Sequence, residues 1–402
     1  MKTRTILISG ASVAGPALAF WLNRYGFEPT IVERAPQVRP GGYAIDFRGA
    51  SLRVLERMGL RAEVEKRQTR IGPITIVDQN DRKVASMPDG FTSGELEILR
   101  GDLADIFYQA TRNTTEYIFD DSVVRIDEDA NGVEVQFQRS GRRRFDLVVG
   151  ADGLHSGVRS VVFGDEARFL RFLGVYISIF TIPNFMRLDH AGLYFGTLGK
   201  RVGVFSGGDG VNASASFIFW NERLDDARLD SPEQKKVLRS HFEKDGWQIP
   251  RLLGCMETAP DFYFDSVSQI KMDRWSAGRI TLLGDAAWCA SPFSGMGTGL
   301  AVVGAYVLAG ELAQAAGDHR VAFEQYEALM REFVRKCQSL ADGGTEWFVP
   351  RTRFRHWLSG QMWKVLPYTP WKNMMIEMPL KIANSIELKD YRAYERVCPE
   401  PV

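Results

Sequence analysis

Residues Gly10-Ala11-Ser12-Val13-Ala14-Gly15 stand where a Gly-x-Gly-x-x-Gly turn would join an apolar strand to an apolar helix. Such a turn exposes backbone N–H groups and a helix N-terminus, whose partial positive charge holds a pyrophosphate. Gly10 permits the tight turn and Gly15 permits close helix–strand packing, with Val13 and Ala14 opening the helix. Ser12 replaces the middle glycine; its N–H survives, but its β-carbon crowds the approach of a phosphate. Glu33 ends the next strand, 18 residues after Gly15, where a carboxylate can accept both ribose hydroxyls. The segment therefore reads as a dinucleotide turn. A Gly-x-Ser-x-Gly nucleophile elbow is rejected, because the fifth position is Ala14 and most of the sheet has yet to come.

Two later segments carry matching chemistry. Asp146-Leu147-Val148-Val149-Gly150-Ala151-Asp152-Gly153 is a strand running into a glycine turn, followed by a helix with Ser156 and Arg159. Arg279–Gly284 is a strand that delivers Asp285, and Pro292-Phe293-Ser294-Gly295-Met296-Gly297-Thr298-Gly299 then opens a long helix. The N-terminus of that helix offers unpaired N–H donors and a favourable dipole to negative charge, worth roughly 0.3–2 kcal/mol. Its glycines let the backbone approach a ligand without side-chain collision. No convincing Ser/His/Asp or Cys/His set accompanies these segments.

The elements that must position them are readable in outline. Thr3–Ser9, a helix from Val13 to Tyr25 stopped by Gly26, and Pro29–Glu33 form a βαβ unit with a right-handed crossover. Helical patterns follow at Ala50–Met58 and Asp102–Thr111, with a β-ribbon at Pro73–Met87 between them. Residues 116–150 alternate as strands, with Arg142-Arg143-Arg144 as a solvated hairpin turn. Residues 172–220 are almost purely strand-like. Helices return at Pro232–Lys244, Gly297–Ala316 and Val321–Leu340. The fold class is α/β: a Rossmann-like domain (1–72, 96–170 and 271–345), interleaved with a β-sheet substrate domain (73–95 and 171–270), plus a C-terminal helical cap (346–402).

The 402 residues are 45% apolar, and fifty Lys and Arg offset fifty Asp and Glu. Zero net charge argues against a nucleic-acid partner, which needs a basic surface. Four scattered cysteines (Cys255, Cys289, Cys337, Cys398) and five scattered histidines give no metal-ligand spacing and fit a reducing cytoplasm. Ala286–Gly310 lacks charge over 25 residues, but its glycines and proline make it a buried loop–helix unit rather than a membrane span.

With these three segments in this order, the chain resembles the group A FAD-dependent aromatic monooxygenases, the superfamily of para-hydroxybenzoate hydroxylase. In size and motif spacing it is most similar to the tetracycline-inactivating members. The resemblance implies FAD and NAD(P)H as cofactors and O2 as co-substrate. A flavin C4a-hydroperoxide then hydroxylates the substrate, with no catalytic protein nucleophile. It places Gly10, Ser12, Val13, Ala14, Gly15, Glu33 and Arg34 at the adenosine and pyrophosphate, and Arg100 beside the pyrophosphate and ribityl chain. Val124 becomes a main-chain adenine contact. Asp285 falls at the ribityl or pyrophosphate region, Gly295, Met296, Gly297 and Thr298 at the flavin edge, Asp46 near the flavin and Arg39 near the nicotinamide cofactor. Asp152 and Arg159 lie in a segment tied to both FAD and the nicotinamide cofactor, Arg159 as a nicotinamide contact. Trp288 stands where the family has His, Gly299 where Asn is common, and Gly304 where an acid is usual. The alternatives are a flavin reductase or dehydrogenase of the same fold and a non-catalytic flavin- or ligand-binding protein.

Residues 172–220 hold ten aromatics in 49 positions and only five charges (Arg187, Asp189, Lys200, Arg201, Asp209). Phe217 and Phe219 share one strand face, as do Tyr176 and Phe180. With Pro292 and Phe293 they form an expected apolar pocket wall, and so few charges point to a largely neutral, polycyclic aromatic substrate. The segment Trp347–Lys381 is rich in Trp, Phe and Met, with six basic residues and one acidic. It reads as a helical cap over the cavity, the alternative being an interfacial segment that touches membranes. The expected assembly is a monomer or homodimer.

Overall fold

The computed structural model describes residues 4–39, 41–87, 94–207, 210–224 and 229–396. Thr3, Asp209, Cys398 and the end of the expected cap lie outside them. A six-stranded sheet runs in the order Ser276–Ala277, Ile280–Leu282, Leu147–Gly150, Thr5–Ser9, Glu28–Glu33, Glu116–Phe119. All its pairs are parallel except the first. Its central strands are apolar and buried on both faces, as a parallel sheet under helices requires. Helix Ala14–Arg24 packs over it, and helix Gly297–Gln314 packs against that helix. The second of these is buried almost all round, which explains why its sequence carries no charge over so long a stretch. Among the described residues, no helix is long and apolar enough to cross a membrane.

The arginine run departs from expectation. Arg142–Phe145 is a strand paired antiparallel with Gly132–Phe137, and the chain turns instead at Gly141, where φ is 80°. The three guanidiniums find carboxylates on Glu134, Glu116 and Asp129. Cross-strand partners, invisible to local charge counting, turn a like-charged run into an acceptable strand.

The second sheet has seven strands, in the order Tyr263–Ile270, Leu170–Pro183, Asn212–Trp220, Lys200–Ser206, Ala191–Thr197, Ile74–Val77, Lys83–Ser86. The ribbon Ile74–Val77/Lys83–Ser86 extends its edge, which is how residues far upstream join this sheet. Its back face packs on helices Ser231–Phe242 and Ile249–Thr258. Tyr176 stacks on Phe219 (5.8 Å between centroids), Phe180 on Phe217 (5.7 Å), and Phe217 meets Phe242 edge-on at 4.9 Å. Leu238, Leu252 and Met256 complete that core. The assignment of Tyr176, Phe180, Phe217 and Phe219 to the substrate wall is therefore corrected. They face helices, and the front of the sheet carries Ile177, Ile218, Tyr194, Arg201 and Phe205 instead.

The C-terminal helices Gly344–Phe348 and Arg353–Val365 cover part of that front, while Trp371–Ala383 packs on helix His319–Ser339. Trp363 and Leu366 pack on Ile74, Ala85 and Met87, and Phe348 on Phe293 and Tyr194. The chain then returns to the first sheet's layer. Lys389 bonds buried Glu311 at 2.8 Å, the Tyr391 hydroxyl donates to the same carboxylate, and the Arg396 N–H donates to the Arg24 carbonyl.

Two departures from the family pattern prove to be one. Trp288 is buried against Trp275 (4.7 Å) and Tyr326 (5.7 Å). A β-carbon on Gly304 would lie 3.0 Å from the Trp288 ring. The indole occupies the volume a side chain at position 304 would take. Gly304→Asp alone should destabilise the fold by overpacking and a buried acid, by about 1–3 kcal/mol or more. Adding Trp288→His should recover part of that loss. A double-mutant cycle from denaturant melts checks it, and strictly additive effects would refute the coupling.

Candidate active site

The site grows from a contact only glycine permits. Gly10 has φ of +110°, and a β-carbon there would stand 2.4 Å from the Ala151 carbonyl oxygen. One on Gly15 would stand 2.0 Å from the Gly10 oxygen. Strand, turn and the Gly150-Ala151-Asp152-Gly153 segment thus touch through backbone, and helix Ala14–Arg24 starts at the carboxyl end of the sheet. Its N-cap, Val13, supplies no side-chain cap and its first turn holds no acid, so the N-terminus is left for a ligand.

Glu33 is buried at the end of its strand. Its carboxylate accepts the Ala11 N–H (2.8 Å) and the Ala35 N–H (2.9 Å), with Arg39 at 3.8 Å. Ala11, Ser12, Glu33, Arg39, Arg100 and Ala104 line one cleft. The Ser12 hydroxyl accepts Arg100 Nη1 at 2.8 Å, so the residue in place of the middle glycine orients a guanidinium at the turn. Arg39 stands in this cleft beside Glu33, where the sequence placed the ribose carboxylate rather than the nicotinamide. Arg34 is exposed next to it, and Val124 is exposed on strand Val123–Asp129.

Arg100 also connects this cleft to the other end. Its N–H donates to the Tyr43 carbonyl (3.0 Å), and the Gly101 N–H donates to Gly41 (2.8 Å). Tyr43 lies 5.9 Å from Tyr263 of the seven-stranded sheet, and burial pushes its phenol up to about 12. Asp285 follows strand Ile280–Leu282; burial raises its pKa. In the loop after it, Ser291 has φ of +80°, and its hydroxyl oxygen accepts the Phe293 N–H. Pro292 is exposed and Met296 buried, while Gly297 and Thr298 are half-buried at the start of helix Gly297–Gln314. That helix too starts without a side-chain cap or an acid. A β-carbon on Gly295 would meet nothing within 4 Å, and one on Gly297 would meet only Asp285, at 3.7 Å. Gly299 leaves room for Ser51, 3.2 Å from where its β-carbon would be.

Three expected residues have other work. Arg159 is fully buried and donates to the Ala286 carbonyl (2.9 Å), the Leu154 carbonyl and Glu166 (both 2.6 Å). Its assignment to the nicotinamide cofactor is corrected: a guanidinium so enclosed is a strut between segments. Asp152 takes the Ser156 hydroxyl and the Val158 N–H, closing the start of its helix. Asp46 pairs with Arg48 at 3.1 Å in the two-stranded sheet Ala44–Phe47/Leu96–Leu99.

One residue that the sequence alone does not single out lies on the front of the seven-stranded sheet. Arg201 is almost wholly buried under Phe348, 4.3 Å from its ring, and near Tyr194 at 5.7 Å. Its Nε and Nη1 have no hydrogen-bond partner among the described residues, and neither does the nearby strand's Ser216 hydroxyl. Burial lowers the Arg201 pKa to about 10. The signal was present in Lys200-Arg201-Val202-Gly203-Val204, where an arginine takes the face opposite two valines. A second missed group is His155, which spans the lobes: Nδ1 lies 2.9 Å from Glu166 and Nε2 3.1 Å from Asp265, itself bonded by the Tyr263 hydroxyl at 3.3 Å.

The Asp265 and Glu166 carboxylates raise the His155 pKa to about 9, above the ordinary value of about 6.5. The ionic clasp is therefore fully formed below about pH 6.5 and is lost as pH rises through about 9. His155 is about one-third exposed, so solvent screening limits its worth to roughly 1 kcal/mol. Melting curves of the parent and His155→Gln should differ at pH 6 and converge by pH 10. A pH-independent gap would show that the clasp is not ionic.

The donor set fits FAD: two uncapped helix N-termini at sheet ends, a backbone cradle closed to β-carbons, and a ribose-type carboxylate. Residues 3–339 match the family model described as "FAD binding domain". A flavin-dependent monooxygenase of Legionella longbeachae is 37% identical over 397 residues, covering 98% of this chain and 99% of that one. An uncharacterized protein of Mycobacterium tuberculosis is 46% identical over 343 residues, 84% of this chain and 92% of its own. The crystal structure of tetracycline destructase Tet(55) superposes with a TM-score of 0.85 at 37% identity, covering 97% of this chain and 99% of that one.

Proposed function

The chain belongs to the FAD-binding flavin-dependent monooxygenases, and from that premise we propose that it uses NAD(P)H and O2 to hydroxylate a largely neutral, polycyclic aromatic compound. The observation that carries the substrate class is the front of the seven-stranded sheet. Ile177, Ile218, Val267, Phe293 and Phe348 form one apolar cluster, and Phe348 lies over the buried Arg201 guanidinium, whose Nε and Nη1 have no hydrogen-bond partner among the described residues. Such a cluster suits fused rings, and Arg201 suits one carbonyl or enolate oxygen on them. The likeness to tetracycline destructases supports a scaffold of that kind.

FAD supplies hydride acceptance and the activation of O2. Glu33 and Arg100 would hold its ribose and pyrophosphate, the N–H groups of Gly297 and Thr298 would face the electron-rich edge of its ring, and Asp285 would stand beside its ribityl chain. The helix dipole there favours the negative charge of the reduced state. Phe348 and the C-terminal helices exclude water from the sheet front. No second Gly-x-Gly-x-x-Gly sequence follows a strand, which supports a reductant that docks transiently rather than in a domain of its own.

The isolated protein should be yellow and release FAD on denaturation. A screen of polycyclic aromatics, with a tetracycline among them, should find compounds that accelerate NAD(P)H oxidation with oxygen uptake. Product from 18O2 should carry the label; unlabelled product formed without oxygen uptake would favour the reductase alternative. Arg201→Met supplies a second test. Removing an unpaired buried charge should leave thermal stability unchanged or higher, while kcat/KM for the best substrate falls about 10–100-fold. Lower stability with unchanged kcat/KM would show Arg201 to be structural.

A further inference from the structure

We propose that the outward face of the C-terminal helices docks on an anionic lipid bilayer. The inward residues of this segment are already used, since Trp363 and Leu366 are buried on the sheet edge. A second apolar set points away. Phe354 and Trp357 sit one turn apart on helix Arg353–Val365, 67% and 58% exposed, and Trp371, Met374 and Met378 follow i, i+3, i+7 spacing on helix Trp371–Ala383, with exposures of 67%, 61% and 49%. Tyr368, in the link between the two helices, is 89% exposed. Lone exposed apolar residues are ordinary, but six on one short segment, four of them Trp or Tyr or Phe, require a partner.

The charge around them selects that partner. From Trp347 to Lys381 the chain has six basic residues and one acidic, although the whole protein is neutral. Lys381 pairs with Glu377 and Arg355 with Glu346, whereas Arg353, Lys364 and Lys372 have no carboxylate partner among the described residues. A second copy of this chain meeting the patch symmetrically would bring these cations against themselves. A bilayer with anionic headgroups satisfies both features, since aromatic rings seat at the headgroup level and each nearby Lys or Arg gains attraction. With no spanning helix among the described residues, the contact is peripheral and reversible by salt.

The test uses the full-length, FAD-loaded protein sedimented with vesicles of phosphatidylcholine alone or with one-third phosphatidylglycerol. Binding should be about tenfold stronger to the anionic vesicles at low salt and should fall in high salt. Lys364→Glu with Lys372→Glu should abolish the preference, and Trp357→Ser with Trp371→Ser should weaken binding while flavin content and melting temperature stay at parent values. Tryptophan fluorescence of the parent should shift to the blue on binding. Three results would overturn the proposal: no sedimentation with anionic vesicles at low salt, equal binding to neutral ones, or a concentration-dependent dimer that the tryptophan variants dissolve.

Discussion

Two helices begin without caps at the carboxyl ends of one buried parallel sheet, and the rest of the site is arranged around that constraint. Ala14–Arg24 and Gly297–Gln314 both lack a capping side chain and a first-turn acid. An orphaned N–H group inside a protein is costly unless a ligand accepts it. The strands that present these helices are held so close that Gly10 has carbonyl oxygen where a β-carbon would go. Positive electrostatic potential is thus fixed by backbone before any side chain is chosen. In the proposed function, Glu33, Arg100 and Asp285 would refine the position of a ligand drawn to these helices.

The seven-stranded sheet solves a different problem. Its back is an ordinary aromatic core, where Tyr176, Phe180, Phe217 and Phe219 stack and two helices seal them from water. Its front keeps Arg201 buried with unpaired N–H groups, a state costing on the order of several kcal/mol. Phe348 and Tyr194 return part of that through their ring faces. A fold tolerates such a group where a bound molecule completes it.

Between the lobes, an ionic contact stands near the site beside the Tyr43–Tyr263 ring pair. His155 reaches from the turn after Gly153 to Asp265, and Arg159 braces Glu166 from behind. The C-terminal strap provides the second tie, anchored by Trp363 on the sheet edge and by Tyr391 on buried Glu311. One tie depends on protonation and the other on packing. The relative position of the two sheets therefore rests on both.

The sequence by itself determined the βαβ unit, the glycine turn and its acid, and the glycine loop after Asp285, because these depend on contacts among near neighbours in the chain. It also located the helices Ala50–Met58 and Gly297–Gln314 closely, since apolar patterning and glycine stops act locally. Period-two alternation told which residues of a strand share a face, but the helices that cover a face lie elsewhere in the chain. Only the tertiary structure decided that Tyr176 and Phe217 look backward and Arg201 forward. It alone made Arg159 a strut, gave the arginine run its partners, and joined Trp288 to Gly304. Each of those outcomes depends on which distant atoms share a volume, and no local spacing encodes that.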